Sequence, residues 1–393
     1  MRILCMSDSW HTISGFATAM RNLADGLGRI GHEVYYLGWQ SFGQPMGPPV
    51  YFHNRKLHFE SLPNTGGKQF GQLALPYWIA KKEPDVLLTL GDFWMLSWMW
   101  KSDIIVPWVY WYPIDGVPIT DDIKRMLKRI DIPVCFSKFG YNLCTEAGIR
   151  CYYIPHGVNT KIFRPLPEEE KRRTKIEYGI PPDKKVIIRV DRNQRRKKIP
   201  QTLLAFKIFH EWYPDVVLYL HMDKRDPEGW DLEFIAKRLG LKVGKDVFFP
   251  PPHKMRDFML GVSEEELNRV YNMGWIHDRL TGGEGFGITT LESLAAGIPC
   301  VGTNYTTSEE LFGDCGLLVK VQFWEIAGAG VDRAWADPED AAAKYKELYE
   351  NPDLYEKFSK RAVEKARKEY DWDRVVIPAF DKLLRERIPE YRK

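Results

Sequence analysis

The residues best suited to chemistry lie in Thr281-Gly-Gly-Glu284-Gly285-Phe286-Gly287-Ile288, a stretch that continues through Thr-Thr-Leu to Glu292. A glycine-rich turn carrying a carboxylate runs into a helix, so the free N–H groups at the helix start face an anion, with Glu284 beside it. A phosphate-bearing ligand suits that arrangement, with Gly285, Phe286, Gly287 and Ile288 as the turn that meets it. Glu292 follows Glu284 by about two helical turns, where a carboxylate can accept hydrogen bonds from vicinal ribose hydroxyls. The competing reading is a capped helix with a surface glutamate. A second concentration of chemistry is Arg189-Val-Asp-Arg192-Asn-Gln-Arg195-Arg196-Lys197-Lys198, six basic residues in ten. Placed after a strand, this charge would neutralise a departing diphosphate, arginine acting as a fork and lysine as a point charge. A solvated basic loop or a nucleic-acid patch would look similar, but no aromatic ladder accompanies the run.

Other candidates carry less. Asp371-Trp-Asp373 has the DxD spacing of a metal-binding carboxylate pair, but it lies near the C-terminus between helical segments and reads as structural. The cluster Phe93-Trp94-Met-Leu-Ser-Trp98-Met-Trp100 could line an acceptor groove or touch a lipid surface, and core packing accounts for it equally well. His11 and His156 fall on expected loops, and His277-Asp278 precedes the glycine turn and could orient it.

The elements that must position these residues alternate between β and α periods. Arg2–Met6 reads as a buried strand, Phe16–Ile30 as a helix with Ala17, Met20, Leu23, Ala24 and Leu27 on one face, and Glu33–Leu37 as a second strand. The loop between the first strand and that helix sits where open parallel sheets bind ligands. Further strands are expected at 86–90, 105–111, 134–136 and 151–154. The proline- and charge-rich stretch from Phe163 to Lys185 reads as an exposed inter-domain connection. A second series follows, with strands at 185–190, 216–221, 247–249 and 299–302 and helices at 201–211, 232–239, 263–273 and 288–296. The C-terminal stretch from Asp340 is helical by period, with Pro378 as a break. The domains expected are residues 1–164, 165–374, and a helix at 375–393 that returns to the first domain. The class is α/β, two Rossmann-like halves facing across a cleft.

Composition narrows the function classes. At about 100 to 200 residues per domain, 393 residues predict two domains, and 44% hydrophobic with 28% charged residues is ordinary for folded protein. The 13% aromatic content suits stacking on flat polar ligands or bulky core filling. Fifty-six basic against 53 acidic residues argue against a dedicated nucleic-acid binder. Six cysteines without a CxxC pair, and nine scattered histidines, offer no zinc spacing and read as reduced thiols. No signal peptide or prenylation box is visible, and Ile104–Ile114 is about half the roughly 20 residues that span a bilayer. A cytoplasmic location is expected.

Five stretches together resemble the retaining glycosyltransferases of family 4, among the glycosyl transferases of group 1: EGFGITTLESLAAGIPCVGT, YYIPHGVNTKIFRP (152–165), RNQRRKK, GLLV (316–319) and GFATAMRNLADGLGRIGHEVYYL. They are distributed over nearly the whole chain. The resemblance implies a GT-B fold with the donor held mainly by the second domain, the acceptor by the first, and no metal requirement. It places Arg192 and Lys197 on the donor diphosphate, Glu284 on donor-sugar hydroxyls, Glu292 on the ribose, and Gly15 at close backbone approach to the phosphates. Many members carry a histidine on the first-domain loop near the reaction centre; the corresponding stretch here is Tyr110-Trp-Tyr112-Pro113-Ile114-Asp115-Gly116. Asp115 is the candidate for that role, binding a sugar hydroxyl or stabilising positive charge at the anomeric carbon, with a turn residue as the alternative. A Lys-Thr-Gly-Gly loop near the N-terminus, the mark of glycogen synthases, is absent; Ser14-Gly15-Phe16-Ala17 stands there.

The function expected is retaining, metal-independent transfer of a sugar, a hexosyl group above all, from a nucleoside diphosphate sugar to a hydroxyl acceptor. No cofactor is expected beyond the donor substrate. The partners are the nucleotide-sugar donor and a sugar, lipid-linked or small-molecule acceptor, with peripheral membrane contact open and nucleic acid excluded. A sugar-nucleotide epimerase of similar shape and a non-catalytic nucleotide-sugar binding protein are the alternatives.

Overall fold

A computed structural model of the chain describes residues 1–102, 104–254, 261–328 and 330–391. It divides into two compact units, one of residues 1–114, 119–157 and 370–393, the other of residues 115–118 and 158–369.

The first unit is built on a seven-stranded parallel sheet. Its strands are β1 (Arg2–Ser7), β2 (Glu33–Gly38), β5 (Glu60–Leu62), β6 (Val86–Leu90), β7 (Trp108–Tyr112), β8 (Ile132–Cys135) and β9 (Tyr152–Tyr153), in the order β5-β2-β1-β6-β7-β8-β9. A short antiparallel ribbon, β3 (Val50–Phe52) with β4 (Arg55–Leu57), lies outside it. Strands β6, β7 and β8 are buried at every position, as apolar strands covered on both faces must be. The expected first helix spans Gly15–Arg29; Ser14 caps it by accepting from Ala17 N at 3.0 Å, and its expected apolar face is buried. At the C-terminus, Asp371 accepts from Arg374 N at 3.0 Å and Asp373 pairs with Arg29 at 2.8 Å, so the DxD spacing serves packing.

The second unit carries a six-stranded parallel sheet: β10 (Lys185–Val190), β11 (Val216–His221), β12 (Val247–Phe248), β13 (Ile276–Arg279), β14 (Cys300–Thr303) and β15 (Gly316–Val319), in the order β12-β11-β10-β13-β14-β15. An antiparallel hairpin, β16 (Val321–Ile326) with β17 (Asp332–Ala336), follows β15. The stretch read as an exposed connection contains a helix, Glu168–Glu177, and lies in this unit from residue 163 onward. Three glutamates in its first turn and Lys175 in its last complement the helix dipole, which offsets the scarcity of apolar residues. Both sheets are of the doubly wound Rossmann type. In the second, the order reverses between β10 and β13, and ligands of such sheets bind outside the carboxyl ends of the strands at that switch point.

Candidate functional site

Both motifs singled out above leave the carboxyl ends of the two switch-point strands. After β10, residues Arg195–Lys197 form a single tight turn, and Lys198 (φ +50°) redirects the chain into the helix Ile199–Trp212. That turn aims Arg196 and Lys197 at the glycine loop that follows β13. Lys197 Nζ donates to Glu284 Oε1 at 2.7 Å and pairs with Asp191 Oδ1 at 2.7 Å. Arg196 Nη1 donates to Glu284 Oε2 at 2.9 Å and also to the Gly283 carbonyl. Thr281 Oγ1 adds a bond to Oε1 at 2.9 Å, and Glu284 N donates to Thr306 Oγ1 at 3.0 Å.

Beneath Glu284 lies a buried lattice of charge. Asp191 pairs with Arg279 at 2.7 Å and with Arg189 at 3.3 Å; Arg189 in turn bonds Asp278 Oδ1 at 2.8 Å, which also accepts from Thr202 Oγ1 at 2.7 Å. Burial alone would raise the pKa of Glu284, but Arg196, Lys197 and Arg279 hold it well below the carboxylate range. Asp191 is lowered by the same balance, burial being outweighed by Lys197, Arg279 and Arg189. Four cations thus face three carboxylates, and the excess positive charge is available to an anionic ligand. His277 beside them is driven well below its usual pKa by burial and is neutral; its Nε2 accepts from Val190 N at 3.3 Å.

Glu292 behaves differently. It is buried on the helix Ile288–Ala295 and accepts from Tyr271 Oη at 2.7 Å, and burial raises its pKa to about 8. The helix that carries it begins at Gly287 (φ +109°) with no side-chain cap, so its first N–H groups are left for a ligand.

Residues 170–365 match the family described as "Glycosyl transferases group 1". The chain is 26% identical over 209 residues to a trehalose synthase of Pyrococcus horikoshii, covering 52% of this chain and 45% of that protein. It spans about half the length of such curated relatives, 45% here and 49% for a probable sucrose-phosphate synthase of Thermosipho melanesiensis. Among solved structures, the sucrose-phosphate synthase of Thermosynechococcus elongatus superposes with a TM-score of 0.76 at 18% identity, over 98% of each chain. The fold is GT-B.

The matched region contains Arg192, Lys197, Gly285, Phe286, Gly287, Ile288, Glu284 and Glu292, and brings all but Arg192 to the switch point. Arg192 turns outward, its Nε bonded to Asp226 Oδ2 at 2.7 Å and its side chain 55% exposed. Asp115 falls in the same compact unit, paired with Arg333 at 2.9 Å. Gly15 belongs to the first unit, where it opens the helix after β1, exposed, next to a Ser14–Asp8 bond of 2.6 Å. Of the lesser candidates, His156 is buried among Trp111 and Phe136, and burial lowers its pKa to about 3. Trp94 is exposed, whereas Trp98 and Trp100 are half-buried. Arg196, Arg279, Asp191, Thr281 and Arg333 were not singled out from the sequence. The first four lie inside or beside the two motifs; Arg333 had no local signal.

Proposed function

We propose that the chain transfers a hexosyl group from a nucleoside diphosphate sugar to a hydroxyl acceptor, with retention at the anomeric carbon and without a metal ion. The observation that carries this reading is the placement of Glu284 between Arg196 and Lys197, with Glu292 on the helix Ile288–Ala295 that follows the same loop, at the switch point of the second sheet. Lys197 and Arg196 neutralise charge on the departing diphosphate, and the uncapped helix start at Gly287 adds N–H donors. Arg192 joins them by exchanging Asp226 for phosphate. Glu284, ionised and held by three donors, orients hydroxyls of the donor sugar, and Glu292 takes the ribose.

Retention is carried over from the family 4 resemblance; Glu284 is committed to its cations and is not free to act as a nucleophile, which within a retaining reaction favours front-side attack over a two-step displacement. The leaving phosphate then helps remove the acceptor proton on the same face. The charge that a divalent ion would bring to the diphosphate is supplied by Arg192, Arg196 and Lys197, which supports metal-independent transfer. The solved HepE protein of Anabaena, in complex with UDP and glucose, superposes with a TM-score of 0.70 at 16% identity over 98% of this chain and 100% of that chain. The class of donor is in keeping with that complex.

The test is incubation with UDP-, GDP- and ADP-sugars in chelator, with and without candidate acceptors, followed by NMR of the product's anomeric carbon. Release of nucleoside diphosphate with a retained configuration supports the reading. An inverted product removes retention, and interconversion of the donor sugar without nucleotide release makes the chain an epimerase.

A further inference from the structure

The hairpin β16–β17 lies against the glycine turn, for Ala334 N donates to the Gly282 carbonyl at 3.1 Å. From the preceding position, Arg333 reaches back to residues 115–118. Its Nη2 donates to Asp115 Oδ2 at 2.9 Å, and its Nη1 donates to the Asp115 carbonyl. The same short segment is held at Val117, whose carbonyl accepts from Asp332 N at 2.6 Å and whose N–H donates to Tyr305 Oη at 3.1 Å. Tyr305 Oη donates onward to the Asp332 carbonyl at 2.9 Å.

This clamp sits directly on the donor turn. A Cβ built on Gly283 would stand 2.5 Å from the Asp115 carbonyl, 3.1 Å from Arg333 Nη1 and 3.1 Å from the Tyr305 ring. Asp115 is therefore packed against the residue that precedes Glu284, and its charge is felt by Arg196 together with that of Glu284. A carboxylate held at the edge of the turn is stabilised by a cation beside it. Arg333 supplies that cation, and its fork bridges the side chain and main chain of a single residue, which restricts Asp115 to one rotamer. The Arg333 side chain is 12% exposed against 37% for that of Asp115, so the guanidinium is enclosed while the carboxylate keeps an open side.

The hairpin has supports other than the Arg333 side chain. Its strands pair through the backbone ladder, Phe323 stacks on Trp335 at 5.1 Å, and Glu325 is anchored by Lys198 at 2.5 Å and Trp335 Nε1 at 2.7 Å. The two terminal nitrogens of Arg333 are hydrogen-bonded to residue 115, while its charge also reaches Glu325, which lies opposite it in the hairpin ladder.

We propose that Arg333 is the positioning residue for Asp115: it locks Asp115 beside the Gly283–Glu284 turn, leaving the carboxylate's exposed side for the donor sugar. This rests on the glycosyl-transfer reading above, and Arg333 itself touches no reacting atom.

The experiment compares the wild type with R333Q, R333K, D115N and the R333Q/D115N double variant. It measures nucleoside diphosphate release from UDP-glucose, GDP-mannose and ADP-glucose, and binding of the free nucleoside diphosphate by calorimetry. R333Q is expected to lower kcat by about 10- to 100-fold, with nucleotide Kd within about twofold of wild type. R333K should restore part of the loss, and the double variant should be no slower than D115N alone. An R333Q protein with wild-type kcat overturns the proposal. So does one whose kcat and nucleotide affinity fall together without rescue by R333K, or a double variant in which the two losses multiply. If R333Q does not fold, D115N and R333K decide, and undiminished turnover in D115N overturns it. A wild type that releases nucleoside diphosphate from none of the donors overturns the glycosyl-transfer reading itself, and this proposal with it.

Discussion

Lys197 stands where charge would develop if a diphosphate leaves, 2.7 Å from both Glu284 and Asp191. Its removal leaves two buried carboxylates facing each other as well as an unneutralised leaving group. Lys197→Ala should lower kcat by about 10²- to 10³-fold, the range for loss of one group that stabilises developing charge, and steady-state release of nucleoside diphosphate checks it. Glu292 makes a separate prediction through pH. Its pKa is raised from the ordinary 4.5 to about 8, first by burial, with the Tyr271 bond pulling the other way. The group is protonated when folded over a range in which it is ionised when unfolded, so its contribution to stability is greatest below about 4.5 and falls as pH rises to about 8. If Glu292 takes the ribose as proposed, its ionised form is the acceptor of the hydroxyls. Nucleotide affinity should therefore rise about tenfold per pH unit below 8 and level off above it; calorimetry from pH 6 to 9 tests this, and Glu292→Gln should give a flat profile. Legibility at this scale was uneven. The glutamate pair was visible because a glycine turn and an eight-residue spacing define it locally. Which of six neighbouring cations turn inward was not visible, because that depends on the one-turn conformation of Arg195–Lys197 and on Asp226, 34 residues after Arg192.

The glycine turn between β13 and its helix is shaped by what passes over it. Gly283 has φ +137°, and a Cβ there would collide with the Asp115 carbonyl at 2.5 Å. Both the backbone conformation and the space demand glycine. Gly283→Ala should shift the carboxylate of the next residue away from Arg196 and Lys197, and a displacement of about 1 Å at a reacting centre costs about 10²-fold in rate. The expected result is a fall of that order in kcat with the ribose contact at Glu292 retained, read as nucleotide affinity changed far less than turnover. Strands β1, β6, β10 and β11 were legible because parallel strands buried on both faces are written as unbroken apolar runs. The helix Glu168–Glu177 was hidden for the opposite reason: Thr174 is its one buried residue, and its support comes from end charges and pairs such as Arg173–Glu177 at 3.2 Å. The β16–β17 hairpin was hidden by its exposed aromatics, since Phe323, Trp324 and Ile326 follow no inside–outside alternation.

Each of the two units has its own parallel sheet and its own buried cluster of apolar side chains, so ligand binding to one is expected to be visible in that unit's own unfolding. Apart from Gly15, the residues proposed for the donor lie in the second. A nucleotide present at about 100 times its Kd adds about 2.7 kcal/mol to the state that binds it. For a unit of roughly 200 residues, 1 kcal/mol moves Tm by about 2 to 4 °C, so the matching nucleotide should raise the second unit's transition by about 5 to 11 °C. Calorimetric scans with UDP, GDP and ADP at matched concentration test this, each repeated with a chelator. If, as proposed, Arg196, Lys197 and the uncapped helix start meet the diphosphate, with Arg192 released from Asp226, the shift should be the same with the chelator present. A shift that vanishes on chelation would mean that these cations do not suffice and that a divalent ion completes the site. No shift with any of the three would remove the nucleotide from the switch point altogether, leaving the Glu284 lattice as a structural device for joining the loops after β10 and β13.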